Sequence, residues 1–114
     1  MTETIFDKII SKEIPADIVY EDNNFLAFND INPQAPIHIL VIPKKRIPSI
    51  NNLELSDSNL IGEMVIIANK IAKEKGIDED GYRLIFNCNE NGGQTVYHIH
   101  LHLIGGRKLS WPPG

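Results

Sequence analysis

The segment His98-Ile99-His100-Leu101-His102-Leu103-Ile104 places three histidines at alternate positions, with branched apolar residues between them. In an extended strand, side chains alternate between the two faces, so the three imidazoles would project from one face about 6.5 to 7 Å apart. Ile99, Leu101 and Leu103 would then enter a core. The chain has four histidines in all, and histidine is the side chain that titrates near physiological pH. The pattern therefore predicts a strand over 98–104 that carries a reactive surface.

Two chemistries suit these three histidines: a metal site or a set of catalytic imidazoles. Three neutral imidazoles are typical ligands of catalytic zinc, but Cys88 is the only cysteine, so no Cys-x-x-Cys pair accompanies them. The loop Asn91-Gly92-Gly93-Gln94-Thr95 precedes the histidines. Its two glycines allow backbone N–H groups to approach an anion closely, and Thr95 adds a hydroxyl donor. The loop favours chemistry at phosphorus, and the metal site stays as the alternative.

Length and charge limit the class of protein. A chain of 114 residues with 42% apolar content predicts one domain, spanning 1–114, with one core. The net charge of −4 argues against general nucleic-acid binding. The N-terminal stretch has no basic region followed by a long apolar run, and no run approaches the roughly 18 apolar residues of a membrane span. With one cysteine, the chain is expected to be a cytoplasmic protein without a membrane association.

The apolar spacing and the turn-forming residues predict an α+β fold. Thr4 is placed to cap a short first helix that ends near Ser11, and Ser56 to cap a long helix that Gly76 ends. Strands are expected over 17–21, 25–29, 37–42, 82–88 and 98–104, with Cys88 as a sheet residue. Short turns join most of them, so the sheet should be antiparallel, with about five strands and both helices on one side.

Three segments of the sequence, one of which contains the three histidines, form a recognisable pattern: GGQTVYHIHLHLIGGR at 92–107, FNDINPQAPIHILVIPKK at 28–45 and WPPG at 111–114. Together they resemble the histidine triad (HIT) superfamily, and within it the Hint branch of nucleotide-binding phosphoramidases. The resemblance runs from about Ile5 to Gly114. It implies a HIT-like fold whose sheet continues across a homodimer, a purine nucleotide as substrate, and neither a cofactor nor a metal.

The resemblance also assigns catalytic roles. His100 would attack the α-phosphorus and form a nucleotidyl-histidine intermediate that water then cleaves. His102 would donate to phosphate oxygens, His98 would orient the site, and His38 would complete the imidazole network. Thr95 stands where the family commonly has serine, and its hydroxyl would supply or relay the proton that the leaving amine needs.

Substrate contacts follow from the same resemblance. The backbone of 93–95 and the Asn87 amide would bind phosphate, Asp30 would bind the ribose hydroxyls, and apolar side chains would wall the purine. From the residues alone, Asp30 is equally well explained as a turn former. The predicted substrate-binding residues are Phe6, Phe28, Asp30, Ile31, Leu40, Asn87, Gly93, Gln94, Thr95, His100, His102 and Trp111. Trp111 would act in the partner's active site.

One departure from the family concerns Arg46, which stands where the family frequently has histidine. Arginine does not relay protons at neutral pH, so Arg46 either changes the pH dependence of turnover or adds positive charge near an anionic ligand. The expected function is hydrolysis of purine nucleoside phosphoramidates. A nucleotide-binding adaptor with incidental hydrolysis and a zinc-binding protein are the alternatives.

Overall fold

The computed structural model describes residues 3–114, and its first element is a short helix, α1 (Ile5–Ile10), with Ser11 as C-cap. Thr4 begins this helix: its hydroxyl accepts the N–H groups of Phe6 and Asp7, while the Asp7 carboxylate accepts the Thr4 N–H at 2.7 Å. This reciprocal capping box satisfies donors that a helix start leaves unpaired. Phe6 and Ile9 are buried. The prediction of a helix capped by Thr4 is confirmed.

Five antiparallel strands form one sheet: β1 (Ile18–Glu21), β2 (Phe25–Asn29), β3 (Ile37–Pro43), β4 (Tyr82–Phe86) and β5 (Leu101–Gly105). Their order across the sheet is β1-β2-β3-β5-β4, so β1 and β4 are the outer strands. Asp22 makes the β1–β2 turn, because its carboxylate accepts the N–H groups of Asn24 and Phe25. The predicted antiparallel α+β fold is confirmed.

The long helix α2 (Ser58–Glu74) follows a 3-10 turn over Leu55–Asp57. It therefore begins one residue later than a cap at Ser56 would place it, because Asp57 is the N-cap. The end of α2 agrees with the prediction that Gly76 ends it: Lys75 is the C-cap, and Gly76 follows with φ +73°, a left-handed conformation that glycine adopts without strain. Among residues 3–114 no helix is long and apolar enough to cross a membrane.

The two helices cover opposite faces of the sheet, which differs from the prediction that both lie on one side. Side chains of α2 share a core with Ala27, Ile39 and Val41. Phe6 and Ile9 of α1 pack in a second core with the alternate residues Leu26, Phe28, Leu40 and Ile42. Because neighbouring side chains of a strand point to opposite faces, the almost continuous apolar runs of β2 and β3 need cover on both sides.

The histidine segment is a strand only in its second half. Strand β5 begins at Leu101, so His98 and His100 precede it, and only His102 lies within it. Its pairing with β3 ends at Val41 and Leu101. Before that point the Ile99 N–H donates to the carbonyl of Ile47, at 2.7 Å, in the segment that follows β3. Strand β4 likewise ends at Phe86, so Cys88 lies in the following loop and is not a sheet residue.

Candidate active site

A cavity of about 310 Å³ lies between α1 and the face of the sheet that α1 covers. Eight of the predicted site residues line it: Phe6, Phe28, Asp30, Ile31, Leu40, Thr95, His100 and His102. Most of the wall is apolar, and the two imidazoles stand with their ring centroids 5.0 Å apart. The cavity thus combines an apolar chamber, which suits a nucleobase, with a polar end that carries the histidines.

His100 presents one free ring nitrogen. Its Nδ1 lies 2.8 Å from the backbone carbonyl of His98, and since a carbonyl only accepts, Nδ1 carries the hydrogen. In the neutral ring Nε2 then holds a lone pair. The edge of Phe6 packs against the ring with centroids 5.1 Å apart, and the residue is 6% exposed. His100 is therefore fixed as the tautomer whose Nε2 can attack an electrophile.

His38 and His102 form a chain of hydrogen bonds with a defined direction. The Gln34 N–H donates to His38 Nδ1 at 3.0 Å, so the hydrogen of neutral His38 lies on Nε2. That Nε2–H donates to His102 Nδ1 at 2.9 Å. His102 consequently carries its own hydrogen on Nε2, where it can donate to an oxygen of a ligand.

Burial keeps the four imidazoles neutral near pH 7. Desolvation lowers the pKa of His38, His98 and His100 below the ordinary value of 6.5. The pKa of His102 falls to about 4, first through desolvation and then through the charges that His100 and His38 would carry. Neutral rings suit both assigned tasks, because a protonated His100 could not attack and a neutral His102 still has one N–H to donate.

His98 does not line the cavity, although it was predicted to be catalytic. Its side chain is fully buried at 0% exposure, and its Nε2–H donates to the Pro43 carbonyl at 2.7 Å. It reaches the site through its own carbonyl, which holds His100. Its Nδ1 has no hydrogen-bond partner, and a carboxylate oxygen of Asp7 lies 3.9 Å away.

The glycine-containing loop at 91–95 uses backbone N–H groups, which a phosphate-binding loop would keep free for its ligand, in hydrogen bonds to neighbouring residues. The Gly93 N–H donates to Glu90 and the Gln94 N–H to Asn89, each at 3.0 Å. Two of the three backbone donors expected to bind phosphate are thus already used in hydrogen bonds to neighbouring residues. Of the three residues at 93–95, only Thr95 lines the cavity.

Side chains of the same loop hold its shape. The Asn87 amide donates to the Gly92 carbonyl at 2.7 Å. Buried Gln94 donates to the carbonyls of Pro48 and Val96. Gly92 is required by a close approach, because a Cβ there would lie 2.4 Å from the carbonyl oxygen of Cys88. Asn87 and Gln94, predicted as ligand contacts, therefore act here on the loop.

Asp30 takes the turn role and also lines the cavity. One of its carboxylate oxygens accepts the Asn32 N–H at 2.8 Å, and the other lies 3.5 Å from His38 Nε2. Trp111 is 81% exposed and does not line the cavity of its own chain.

Seven further residues line the cavity that the sequence analysis did not assign to it: Ile5, Ile9, Ile14, Pro15, Ala16, Asn29 and Val96. The spacing of Ile5 and Ile9 predicts an apolar helix face, but without the position of α1 that face could not be assigned to a ligand. The segment 14–16 has no periodicity that would indicate a role.

One group in the described chain could hold a metal ion. Asp30, His38 and His102 each offer a ligand atom, and these atoms lie within 4.8 Å of one another. In this arrangement the two imidazoles are hydrogen-bonded to each other. If the protein binds zinc, these three residues are the candidate ligands.

Comparison with known proteins agrees with this architecture. The HIT domain family matches residues 11–109. The purine nucleoside phosphoramidase of Escherichia coli strain K12 is 58% identical over 107 residues, which cover 94% of this chain and 90% of that protein.

Solved structures give the same result. The HIT family hydrolase of Legionella pneumophila Philadelphia 1 superposes with a TM-score of 0.97 at 56% identity, over 98% of this chain and 100% of that one. A histidine triad protein of Clostridium difficile superposes with a TM-score of 0.92 at 47% identity, over 96% and 97% of the two chains. The domain match, the identity and the shared fold lead to one conclusion: the chain belongs to the HIT family.

Proposed function

We propose that this protein is a purine nucleoside phosphoramidase that hydrolyses the P–N bond at the α-phosphate through a nucleotidyl-histidine intermediate. The observation that carries the proposal is the bond from His100 Nδ1 to the His98 carbonyl, which leaves Nε2 free in a buried, neutral ring. The 58% identity to a protein of that name supports the same reaction.

In the first step His100 Nε2 attacks the α-phosphorus, a new P–N bond to histidine forms, and the bond to the amine breaks. A neutral imidazole is a suitable nucleophile, because an anionic one would be repelled by the phosphate oxygens. The His102 Nε2–H, oriented through His38, donates to a non-bridging oxygen as negative charge develops there. Asp30 lies at the cavity wall, where it can accept hydrogen bonds from ribose hydroxyls.

The leaving amine takes a proton that solvent supplies and that the hydroxyl of Thr95, a residue lining the cavity, relays. In the second step a water molecule attacks the phosphorus and releases a proton to solvent, the bond to His100 breaks, and the nucleoside monophosphate leaves with the free imidazole restored. No step uses a metal ion or a cofactor. Splitting the hydrolysis into two displacements replaces one difficult reaction by two easier ones.

The test is release of AMP from adenosine 5′-phosphoramidate with EDTA present, comparing the wild type with His100→Ala. We expect release by the wild type alone. Purine binding without release by either protein would favour the adaptor, and wild-type release that EDTA abolishes and zinc restores would favour the metal site at Asp30, His38 and His102.

We also propose that two copies associate along β4, which extends the sheet into a homodimer and brings Trp111 to the partner's active site. Strand β4 is an outer strand whose far edge has no partner among the described strands, and such edges readily pair with another chain. Helix α2 also exposes an apolar side chain that a second copy could cover, because Val65 is 39% exposed. Trp111 is far more exposed than a tryptophan usually is.

Light scattering on size-exclusion peaks tests the homodimer, with Val65→Glu as the variant and Ile66→Glu as the matched control. Ile66 borders a surface groove with Tyr20 and Phe25, on the β1 side of α2. Val65 lies on the other flank, because successive helical residues are about 100° apart. We expect the wild type and Ile66→Glu to be dimers and Val65→Glu to be a monomer. A monomeric wild type would contradict the proposal.

The cytoplasm is the proposed location. Cys88 is a free, half-buried thiol, and free thiols are typical of reducing compartments.

A further inference from the structure

Asp7, Arg46 and His98 form a charged cluster behind the histidines of the cavity. The Arg46 guanidinium contacts the Asp7 carboxylate in a fork, with Nε 3.3 Å from Oδ1 and a terminal nitrogen 3.1 Å from Oδ2. Oδ1 of the same carboxylate lies 3.9 Å from His98 Nδ1. Three parts of the chain thus meet here: the first turn of α1, the segment after β3 and the segment before β5.

The free nitrogen of His98 makes this cluster sensitive to charge. Because Nε2–H donates to Pro43, Nδ1 of the neutral ring is an unpartnered acceptor that faces a carboxylate oxygen. A proton added to Nδ1 would point at that carboxylate and would be stabilised by it. The opposing influences are burial of the ring, which lowers the pKa of His98 most, and the nearby Arg46 charge, which also lowers it.

We propose that Asp7 and Arg46 are positioning residues for the reaction: Arg46 balances the charge of Asp7, so that the buried His98 stays neutral and α1 stays fixed against the segment after β3. The kinetic part of this inference rests on the proposed function. Neither residue lines the cavity, so the pair acts through His98 and through α1.

His98 transmits the effect to the nucleophile. Its carbonyl accepts the Nδ1–H of His100 at 2.8 Å, and a positive charge on His98 lowers the pKa of His100. A protonated His98 would therefore make His100 less basic and a weaker nucleophile. The groups that face His98 are Asp7 on α1, Arg46 after β3 and His100 on its own segment. The pair also fixes α1, from which Phe6 packs against both histidine rings.

The experiment compares Arg46→Gln with the double variant Asp7→Asn/Arg46→Gln in the pH dependence of kcat/KM. In Arg46→Gln the Asp7 carboxylate is no longer balanced by a positive charge and favours protonated His98. The fall of kcat/KM on the acidic side of the pH profile should therefore move to higher pH. We expect kcat/KM to fall about three- to tenfold below wild type at about pH 5.5 and to agree within about twofold at about pH 8. In the double variant the carboxylate is gone, and the acidic limb should move back.

Two controls separate this role from a general loss of stability. Lys45→Gln is matched, because Lys45 precedes Arg46 but pairs with Asp57, at 2.8 Å, and not with Asp7. Its pH profile should follow the wild type. Arg46→Lys keeps the positive charge and should keep the limb in place. Asn at position 7 still has an oxygen to accept the Thr4 N–H, so the cap of α1 is retained.

A second readout does not need turnover. In nitrogen-15 NMR of histidine-labelled protein, the His98 ring should titrate at higher pH in Arg46→Gln than in the wild type. An unchanged His98 titration with an unchanged rate profile would overturn the inference, as would an equal shift in Lys45→Gln. If the wild type releases no AMP, the proposed function fails, while the NMR titration still decides the role of the pair.

Discussion

His38 Nε2 lies 2.9 Å from His102 Nδ1, and through this hydrogen bond the tautomer of His38 sets that of His102. The Gln34 N–H occupies the other nitrogen of His38. Donation therefore runs from the Gln34 backbone through His38 to His102, which lines the cavity. His38 does not line the cavity, so we propose that it acts on the substrate through His102.

Removing the donor of His38 should weaken that arrangement. His38→Ala leaves His102 Nδ1 without its donor, so its hydrogen is no longer held on Nε2, and we expect kcat to fall about ten- to a hundredfold. His38→Gln places an amide N–H near the lost Nε2–H and should recover part of the rate. Steady-state kinetics on both variants, with circular dichroism to confirm folding, checks this. Equal rates in His38→Ala and the wild type would refute the relay.

The hydroxyl of Thr95 should matter more than its methyl group. Thr95 lies in the cavity wall, and Thr95→Ala removes the only hydroxyl assigned to protonation of the leaving amine. We expect a loss of about ten- to a thousandfold in kcat with adenosine 5′-phosphoramidate, and at least wild-type activity in Thr95→Ser. A Thr95→Ala enzyme as active as the wild type would show that another group protonates the amine.

Acid should destabilise the protein through its histidines before its carboxylates are protonated. Each of the four rings has a pKa below 6.5 when folded, so the unfolded chain binds more protons. The free energy of unfolding is then highest above pH 6.5 and falls as the pH drops towards about 4, the folded value for His102.

Urea unfolding at a series of pH values measures this slope. His102→Gln should show a shallower loss of stability over the same range, because one depressed imidazole has been removed. A stability that is constant from pH 6.5 to 4 in the wild type, or an identical slope in the variant, would contradict the assignment.

Local sequence signals predicted the elements well where side chains and backbone agree. Thr4 and Asp7 form a capping box within four residues, and the Asp22 carboxylate accepts two N–H groups of the β1–β2 turn. The N-cap of α2 is Asp57 and not Ser56, and the Asp57 carboxylate pairs with Lys45, a residue distant in sequence, and accepts the Glu54 N–H. Long-range contacts of this kind leave no periodic pattern.

In the histidine segment, too, a contact with a residue distant in sequence decides where the strand begins. Alternation correctly places Leu101 and Leu103 in the core that α2 shares, but the strand cannot continue back to His98, because the Ile99 N–H is taken by Ile47. The resemblance predicted His100 as the nucleophile and supplied eight of the fifteen residues that line the cavity. It could not supply the pairing of Asp7 with Arg46, which depends on where α1 lies.

The most direct test of the account is to capture the covalent intermediate. Wild type and His100→Ala are mixed with adenosine 5′-phosphoramidate in EDTA and quenched within milliseconds in alkali, in which a phosphorus–histidine bond survives. Intact mass and peptide mapping then locate any adduct. We expect an adenylyl group on His100 of the wild type and none in His100→Ala. An adduct on another residue would contradict the proposed mechanism, and so would turnover by His100→Ala at the rate of the wild type.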